Sequence, residues 1–109
     1  MKQKTFFIII AIIASAGISF GADASANWNA NCASCHGKDG SGSTMMGKKL
    51  NIKDYRDPTV QAAFSDAEAV RAIKEGVKTS GKQTMKPFGS KLSDADIKAL
   101  VAYIRSFKK

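Results

Sequence analysis

The clearest pattern in the chain is an apolar stripe close to its end. Apolar residues follow Ser93 at helical intervals, at Ile97, Leu100, Val101, Ile104 and Phe107. Residues three or four positions apart lie on one face of an α-helix. The stripe therefore predicts a final helix that begins at Ser93 and packs one face against a core.

A second helix is predicted upstream by its start and stop signals. Ser65 and Glu68 have the spacing of a capping box, in which each side chain bonds the backbone N–H of the other residue. Val70 and Ile73 follow on one face, and Gly76 supplies a typical C-terminal stop. These signals predict a helix from about position 66 to 75.

The remaining segments carry weaker signals. Asp57 followed by Pro58 predicts the start of a short helix, because Asp caps well and Pro suits the first helical position. A run rich in Ala and Asn predicts a first helix from about position 23 or 25 to 35, which includes Trp28. Positions 78–87 are polar and predict a loop. No segment alternates as a strand does, so the chain is predicted to be all-α.

The first 26 residues have the layout of a secretory signal peptide. Lys2 and Lys4 precede an uncharged apolar run at positions 6–20, and small residues then offer A-x-A cleavage motifs at 22–24 and 24–26. The alternative is an uncleaved membrane anchor, but the apolar run is shorter than the ~20 residues that a spanning helix needs. We predict a signal peptide at residues 1–24, a single domain at residues 25–109, export to the periplasm and no stable membrane insertion.

Chemistry concentrates in one short segment, Cys32-Ala-Ser-Cys-His36. The whole chain has two Cys and one His, and all three lie here. C-x-x-C-H is the attachment sequence for c-type haem, in which two thiols join the haem vinyl groups and the His ligates the iron. The interval from Cys32 to Cys35 is about one helical turn, which places both sulfurs on one face. The segment predicts one covalently bound haem c, with Cys32 and Cys35 as attachment residues and His36 as an iron ligand.

The two cysteines have three alternative explanations. A thioredoxin-like redox pair needs a βαβ context, which the chain does not show. A zinc site needs four ligands, and only three soft ligands exist. A structural disulfide in an exported protein is the third alternative.

The formal charge of +8 indicates an anionic partner. The basic residues are scattered along the chain and aromatic residues do not alternate with them, which argues against nucleic acid. An acidic protein surface is the preferred partner.

From about position 23 to 109 the chain resembles the small monohaem class I cytochromes c of bacteria. The likeness includes the haem motif, the glycine-rich run His36–Gly42, the segment Met46–Leu50, the sequence Met85-Lys-Pro-Phe88 and the final helix pattern Leu92–Arg105. The resemblance implies the cytochrome c fold, with about four to five short helices around one haem. It also implies a monomeric carrier of single electrons between redox partner proteins, and not an enzyme.

The second axial ligand is the least determined part of the site. With one His in the chain, the sixth position is left to Met, Lys, water or nothing. The resemblance implies Met85, on a loop stiffened by Pro87, with Met46 as the second choice. Met/His ligation favours electron transfer over substrate binding. Without a sulfur ligand, the alternative is a five-coordinate haem protein with peroxidase or gas-sensing activity.

The resemblance has further implications around the haem. A carbonyl near Met45, where related sequences commonly have Pro, is expected to accept the ring N–H of His36. Tyr55 and Arg56 are candidates to meet the haem propionates. Lysines around the haem edge are expected to orient partners, and the candidates are Lys38, Lys48, Lys82 and Lys86.

Overall fold

The computed structural model describes residues 21–109. The predicted leader lies outside these residues except for its last four positions. The described part contains six helices and one β-hairpin: α1 Gly21–Asn31, α2 Ala33–His36, α3 Met45–Lys49, α4 Pro58–Ala62, α5 Asp66–Glu75, β1 Val77–Thr79, β2 Lys82–Met85 and α6 Asp94–Ser106. The mostly helical class is confirmed; α2, α3 and α4 are single turns.

The two helices with the strongest sequence signals form as predicted. Ser65 and Glu68 make both bonds of the capping box of α5, and Gly76 ends this helix with a φ of 77°. Ser93 and Asp96 form the equivalent capping box of α6. Each box satisfies two N–H groups that a helix start would otherwise leave unpaired.

The core lies where α1 and α5 pack against α6. Trp28 is 1% exposed, and its ring contacts those of Tyr103 in α6 and Phe107 just after it at centroid distances of 5.8 and 5.1 Å. The predicted stripe is buried at Ile97, Leu100, Val101 and Ile104, whereas its fifth member, Phe107, lies one residue beyond α6 and is half-buried. The other buried members of the core cluster are Cys32, Ala69, Ile73, Phe88 and Leu92.

The predicted loop at positions 78–87 is wrong over positions 78–85. Val77–Thr79 and Lys82–Met85 pair as an antiparallel hairpin, with an irregularity between Val77 and Lys78. Ser80 and Gly81 join the strands with φ angles of 51° and 79°. Two residues with positive φ are typical of the type I′ turn, whose twist matches the flanking strands. The strands are polar and mostly exposed, so the sequence lacks the apolar alternation from which a strand would be predicted.

Candidate functional site

A deep cleft opens beside the core, with a volume of about 1010 Å³. This volume lies at the upper end of the ~300–1,000 Å³ typical of cofactor sites. It is lined by Cys32, Ser34, Cys35 and His36 together with residues of α4, α5 and the end of the hairpin. Leu100 and Ile104 of α6 also line it. The cleft has the size and the apolar lining that a large flat cofactor needs.

The two cysteines sit at the junction of α1 and α2. The Cys32 N–H donates to the carbonyl of Trp28 at 2.9 Å, and the His36 N–H donates to the carbonyl of Cys32 at 2.9 Å. This tight turn brings Cys32, Cys35 and His36 to the same cleft. Burial, with a smaller contribution from Cys35, raises the pKa of the Cys32 thiol to about 11. Both thiols are free, and the structure places them where the sequence predicted.

His36 is held between two aromatic rings. The Tyr55 ring stacks on it with 5.4 Å between centroids and 19° between planes, and Trp28 lies 5.5 Å away. Burial lowers the pKa of His36, which favours the neutral imidazole that binds metals. Its Nδ1 is buried without a hydrogen-bond partner. Nε2 is therefore the ring nitrogen available to a ligand in the cleft.

The expected acceptor near Met45 does not reach His36. Met45 begins α3, and its side chain is 91% exposed. Thr44 caps this helix by accepting from the Gly47 N–H at 2.8 Å. Because the Nδ1 of His36 has no hydrogen-bond partner among the described residues, the expectation of a hydrogen bond there is wrong for this structure.

The segment after His36 is tied back to the motif by two side chains. The indole N–H of Trp28 donates to the carbonyl of Gly37 at 2.9 Å. The Thr44 hydroxyl donates to the carbonyl of Cys35 at 2.6 Å. A Cβ on Gly47 would lie 2.6 Å from that same carbonyl oxygen, so only glycine fits. These contacts fix the backbone that carries the cysteines and the histidine.

Met85 lies at the end of β2. It is half-buried, lines the cleft and packs against the core cluster. The backbone that follows is docked on α5, because the Phe88 N–H donates to the Ile73 carbonyl at 2.9 Å. Met46 also lines the cleft, whereas Met45 does not. The structure thus keeps Met85 and Met46 as candidate sulfur ligands.

Of the two residues predicted to meet the haem propionates, only one lines the cleft. Tyr55 lines the cleft, and burial raises its pKa. Arg56 does not line it; this residue pairs with Asp54 at 3.0 Å and with Asp39 at 3.6 Å. Sequence reasoning missed Phe64, which lines the same wall and meets the Tyr55 ring edge-on at 5.8 Å. A lone Phe after a short helix gives no periodic signal that could have found it.

Residues 21–109 contain neither a preformed metal cluster nor a membrane-spanning helix. No three His, Cys, Asp or Glu side chains of this part converge in a way that would hold a metal ion directly. Within the same residues, no helix has the length and apolarity needed to cross a membrane.

The chain is similar to several known c-type cytochromes. A family model described as cytochrome C oxidase, cbb3-type, subunit III matches residues 21–104. Cytochrome c-554(547) of Halothiobacillus neapolitanus is 34% identical over 81 residues, covering 74% of this chain and 89% of that protein. Cytochrome c6 of Picosynechococcus sp. is 34% identical over 103 residues, covering 89% and 84%. The solved structure of the KustC0563 c-type cytochrome has a TM-score of 0.70 and 37% identity, and the match covers 80% of this chain and 99% of that one.

Proposed function

The chain belongs to the small monohaem class I cytochromes c, and we propose that it shuttles single electrons between periplasmic redox partners. Proteins of this family carry covalently bound haem c and act as electron carriers, not as enzymes. The observation that carries the proposal is that Cys32, Cys35, His36 and Met85 all line one apolar cleft.

Each of these residues has a role in the proposal. Cys32 and Cys35 would hold the haem through thioether bonds, while His36 Nε2 and the Met85 sulfur would occupy the two axial positions. When bound, the haem supplies an iron that accepts and returns one electron. Met/His ligation raises the reduction potential relative to other common ligand sets and leaves no open position for a substrate.

The surrounding side chains would keep the iron ligand in one orientation. Tyr55 and Trp28 flank the imidazole of His36, and Trp28 is itself anchored to the Gly37 carbonyl. A ligand that is fixed before electron transfer does not have to move when the charge of the iron changes. Apolar neighbours such as Leu100 and Ile104 exclude water from the same volume, which also lowers the cost of rearrangement.

The charge around the cleft supports an acidic docking partner. The bases look scattered along the chain, yet residues 40–53 and 76–93, which both contribute to the cleft, hold seven lysines and no acidic residue. Lys53, Lys86 and Lys91 line the cleft itself, and the ion pairs found within residues 21–109 involve none of them. We name residues 40–53 and 76–93 the basic lips. Unpaired positive charge at the cleft mouth would steer an acidic surface toward the haem edge.

Export and oligomeric state belong to the same proposal. The layout of residues 1–24 supports cleavage of a signal peptide and release into the periplasm. The monomeric state is proposed from the resemblance to the small monohaem cytochromes c.

Haem staining and spectroscopy test the proposal. Protein made with a haem-maturation system should keep its colour on a denaturing gel, and its ferric form should be low-spin with an Fe–S charge-transfer band. Met85→Ala should give a high-spin spectrum that responds to azide, whereas Met46→Ala should keep the wild-type spectrum. A colourless chain refutes the proposal, and a wild-type protein that is already high-spin supports the five-coordinate alternative.

The docking part of the proposal has its own test. Lys86→Glu on a basic lip and Lys98→Glu on the exposed face of α6 change the net charge equally. Oxidation of the reduced protein by a small anionic oxidant should slow more in the Lys86 variant, and the gap should shrink as salt screens the charges. Equal rates in the two variants would contradict steering by the lips.

A further inference from the structure

Arg105, in the last turn of α6, binds a single short segment of the chain with almost its whole guanidinium. Its Nε donates to the Asp66 carboxylate at 2.9 Å, one Nη donates to both oxygens of Gln61, and the other donates to the Phe64 carbonyl at 2.8 Å. The guanidinium carbon also lies 4.2 Å from the centre of the Phe64 ring, within the range of a cation–π contact. One planar group therefore fixes the end of α4, the link that follows and the first residue of α5.

The ion pair with Asp66 does not account for this arrangement. The Asp66 side chain is 73% exposed, and a pair with so exposed a partner contributes little to stability. The other three hydrogen bonds of Arg105 go to neutral oxygens, and two of those oxygens are backbone carbonyls. Bonds of this kind fix where the backbone lies, so the contacts made by segment 61–64 decide what the guanidinium does.

This segment supports Tyr55, the residue whose ring stacks on the proposed iron ligand. The side-chain nitrogen of Gln61 donates to the Tyr55 carbonyl at 2.7 Å. The Phe64 ring meets the Tyr55 ring edge-on at 5.8 Å, and the opposite contact of Tyr55 is with His36, at 5.4 Å between centroids and 19° between planes. The backbone and the ring of Tyr55 are thus both supported by residues that Arg105 holds.

We infer that Arg105 is a positioning residue for electron transfer, which fixes segment 61–64 so that the ring stacked on His36 cannot shift. The inference rests on the proposed function, because it takes His36 as the axial ligand. Groups beyond the ligands orient them, and the apolar shell around a metal controls its access to water and its potential. A loosened segment should therefore change the ligand field of the ferric iron. It should also lower the reduction potential, because water favours the more highly charged ferric state.

Two substitutions that keep the net charge test the inference in the holoprotein. Arg105→Lys replaces the planar fork with an ammonium whose three N–H groups are fewer than the four acceptors. Phe64→Leu leaves the guanidinium in place but removes the ring between it and Tyr55. Both variants should show shifted or broadened g values in the electron paramagnetic resonance spectrum of the ferric protein, and a midpoint potential below that of the wild type.

The matched control is Arg71→Lys. Arg71 lies on α5, its side chain is 78% exposed, and it pairs with Glu75 on the same helix. The chemical change is identical, but the lining of the cleft is not involved. This variant should keep the g values and the midpoint potential of the wild type, and a shift as large as that of Arg105→Lys would overturn the inference.

The two readouts separate positioning from a purely structural role. If Arg105→Lys melts at a lower temperature but keeps wild-type g values and potential, Arg105 only stabilises the fold and the inference is overturned. Wild-type values in Phe64→Leu overturn it as well, and that variant decides alone if Arg105→Lys does not attach haem. A colourless wild-type protein would instead refute the proposed function, before any variant is compared.

Discussion

Gln61 is the buried polar side chain of the described core, and its replacement is the sharpest test of how the cleft wall is held. It is 5% exposed. Its amide nitrogen donates to the carbonyls of Tyr55 at 2.7 Å and Ile104 at 2.9 Å, and its amide oxygen accepts from Arg105 at 2.9 Å. One side chain of α4 therefore joins the segment before it to the end of α6.

Gln61→Leu removes all three bonds while keeping a similar volume. The Ile104 carbonyl keeps one donor, the Phe107 N–H at 3.2 Å, whereas the Tyr55 carbonyl loses the side-chain donor that reached it. A buried group left unpaired costs about 1–3 kcal/mol, and loss of the bond to a charged Arg adds to this. We expect a loss of about 2–4 kcal/mol in the free energy of unfolding. For a domain of this size that lowers the melting temperature by roughly 8–30 °C.

Urea unfolding of the ferric holoprotein, followed by far-UV circular dichroism and by haem absorbance, measures the loss. The matched control is Gln83→Leu, because Gln83 is the same residue type on the exposed hairpin. The control should stay within about 0.5 kcal/mol of the wild type, as most surface substitutions do. If Gln61→Leu also stays within that range, the three bonds contribute no net stability and the reasoning fails.

Three further substitutions each test one contact outside the hydrogen bonds of Gln61. Gly47→Ala should destabilise by about 1–3 kcal/mol, despite the better helix propensity of Ala, because its Cβ would press on the rigid carbonyl of Cys35; urea midpoints check this. Trp28→Phe should cost about 1–3 kcal/mol because the buried carbonyl of Gly37 loses the indole donor. Hydrogen bonds from the neighbouring arginine lower the pKa of Asp54, so its contribution is present above the unfolded pKa of about 3.9 and is lost as pH falls through the lower folded value. Asp54→Asn should therefore be less stable than the wild type at pH 7, and acid titrations of stability should show the difference vanish once the pH falls below the lowered pKa of Asp54 in the folded protein.

The supporting helices could be predicted from sequence because their signals are local. The capping box at Ser65 and the glycine stop at Gly76 lie within the helix that they define, and both form as predicted. The stripe of α6 is equally local, since its members are neighbours on one face of one helix. The haem motif is local in the same sense, because five consecutive residues carry both thiols and the imidazole.

The walls of the cleft could not be predicted because they depend on contacts between distant segments. In the sequence Gln61 is an ordinary polar residue. It belongs to the core because its side-chain amide donates to the carbonyl of Ile104, 43 residues away in the chain. The unpaired Nδ1 of His36 could not be predicted either, because it depends on which distant backbone groups reach the imidazole. The hairpin was missed because polar strands of three and four residues resemble a loop when apolar alternation is the criterion.

The end of α5 combines a local sequence signal with a contact between distant segments, because it positions the chain that carries Met85, the proposed sulfur ligand. The carbonyls of Ile73 and Lys74 lie in the last turn of the helix, where no intrahelical donor reaches them. They accept instead from the N–H groups of Phe88 at 2.9 Å and Gly89 at 3.1 Å. A Cβ on Gly76 would lie 2.5 Å from the Met85 carbonyl, so the strand passes the helix end at the closest distance that glycine permits. The glycine that stops the helix is therefore also the residue that lets the Met85 backbone pass so close to the end of α5.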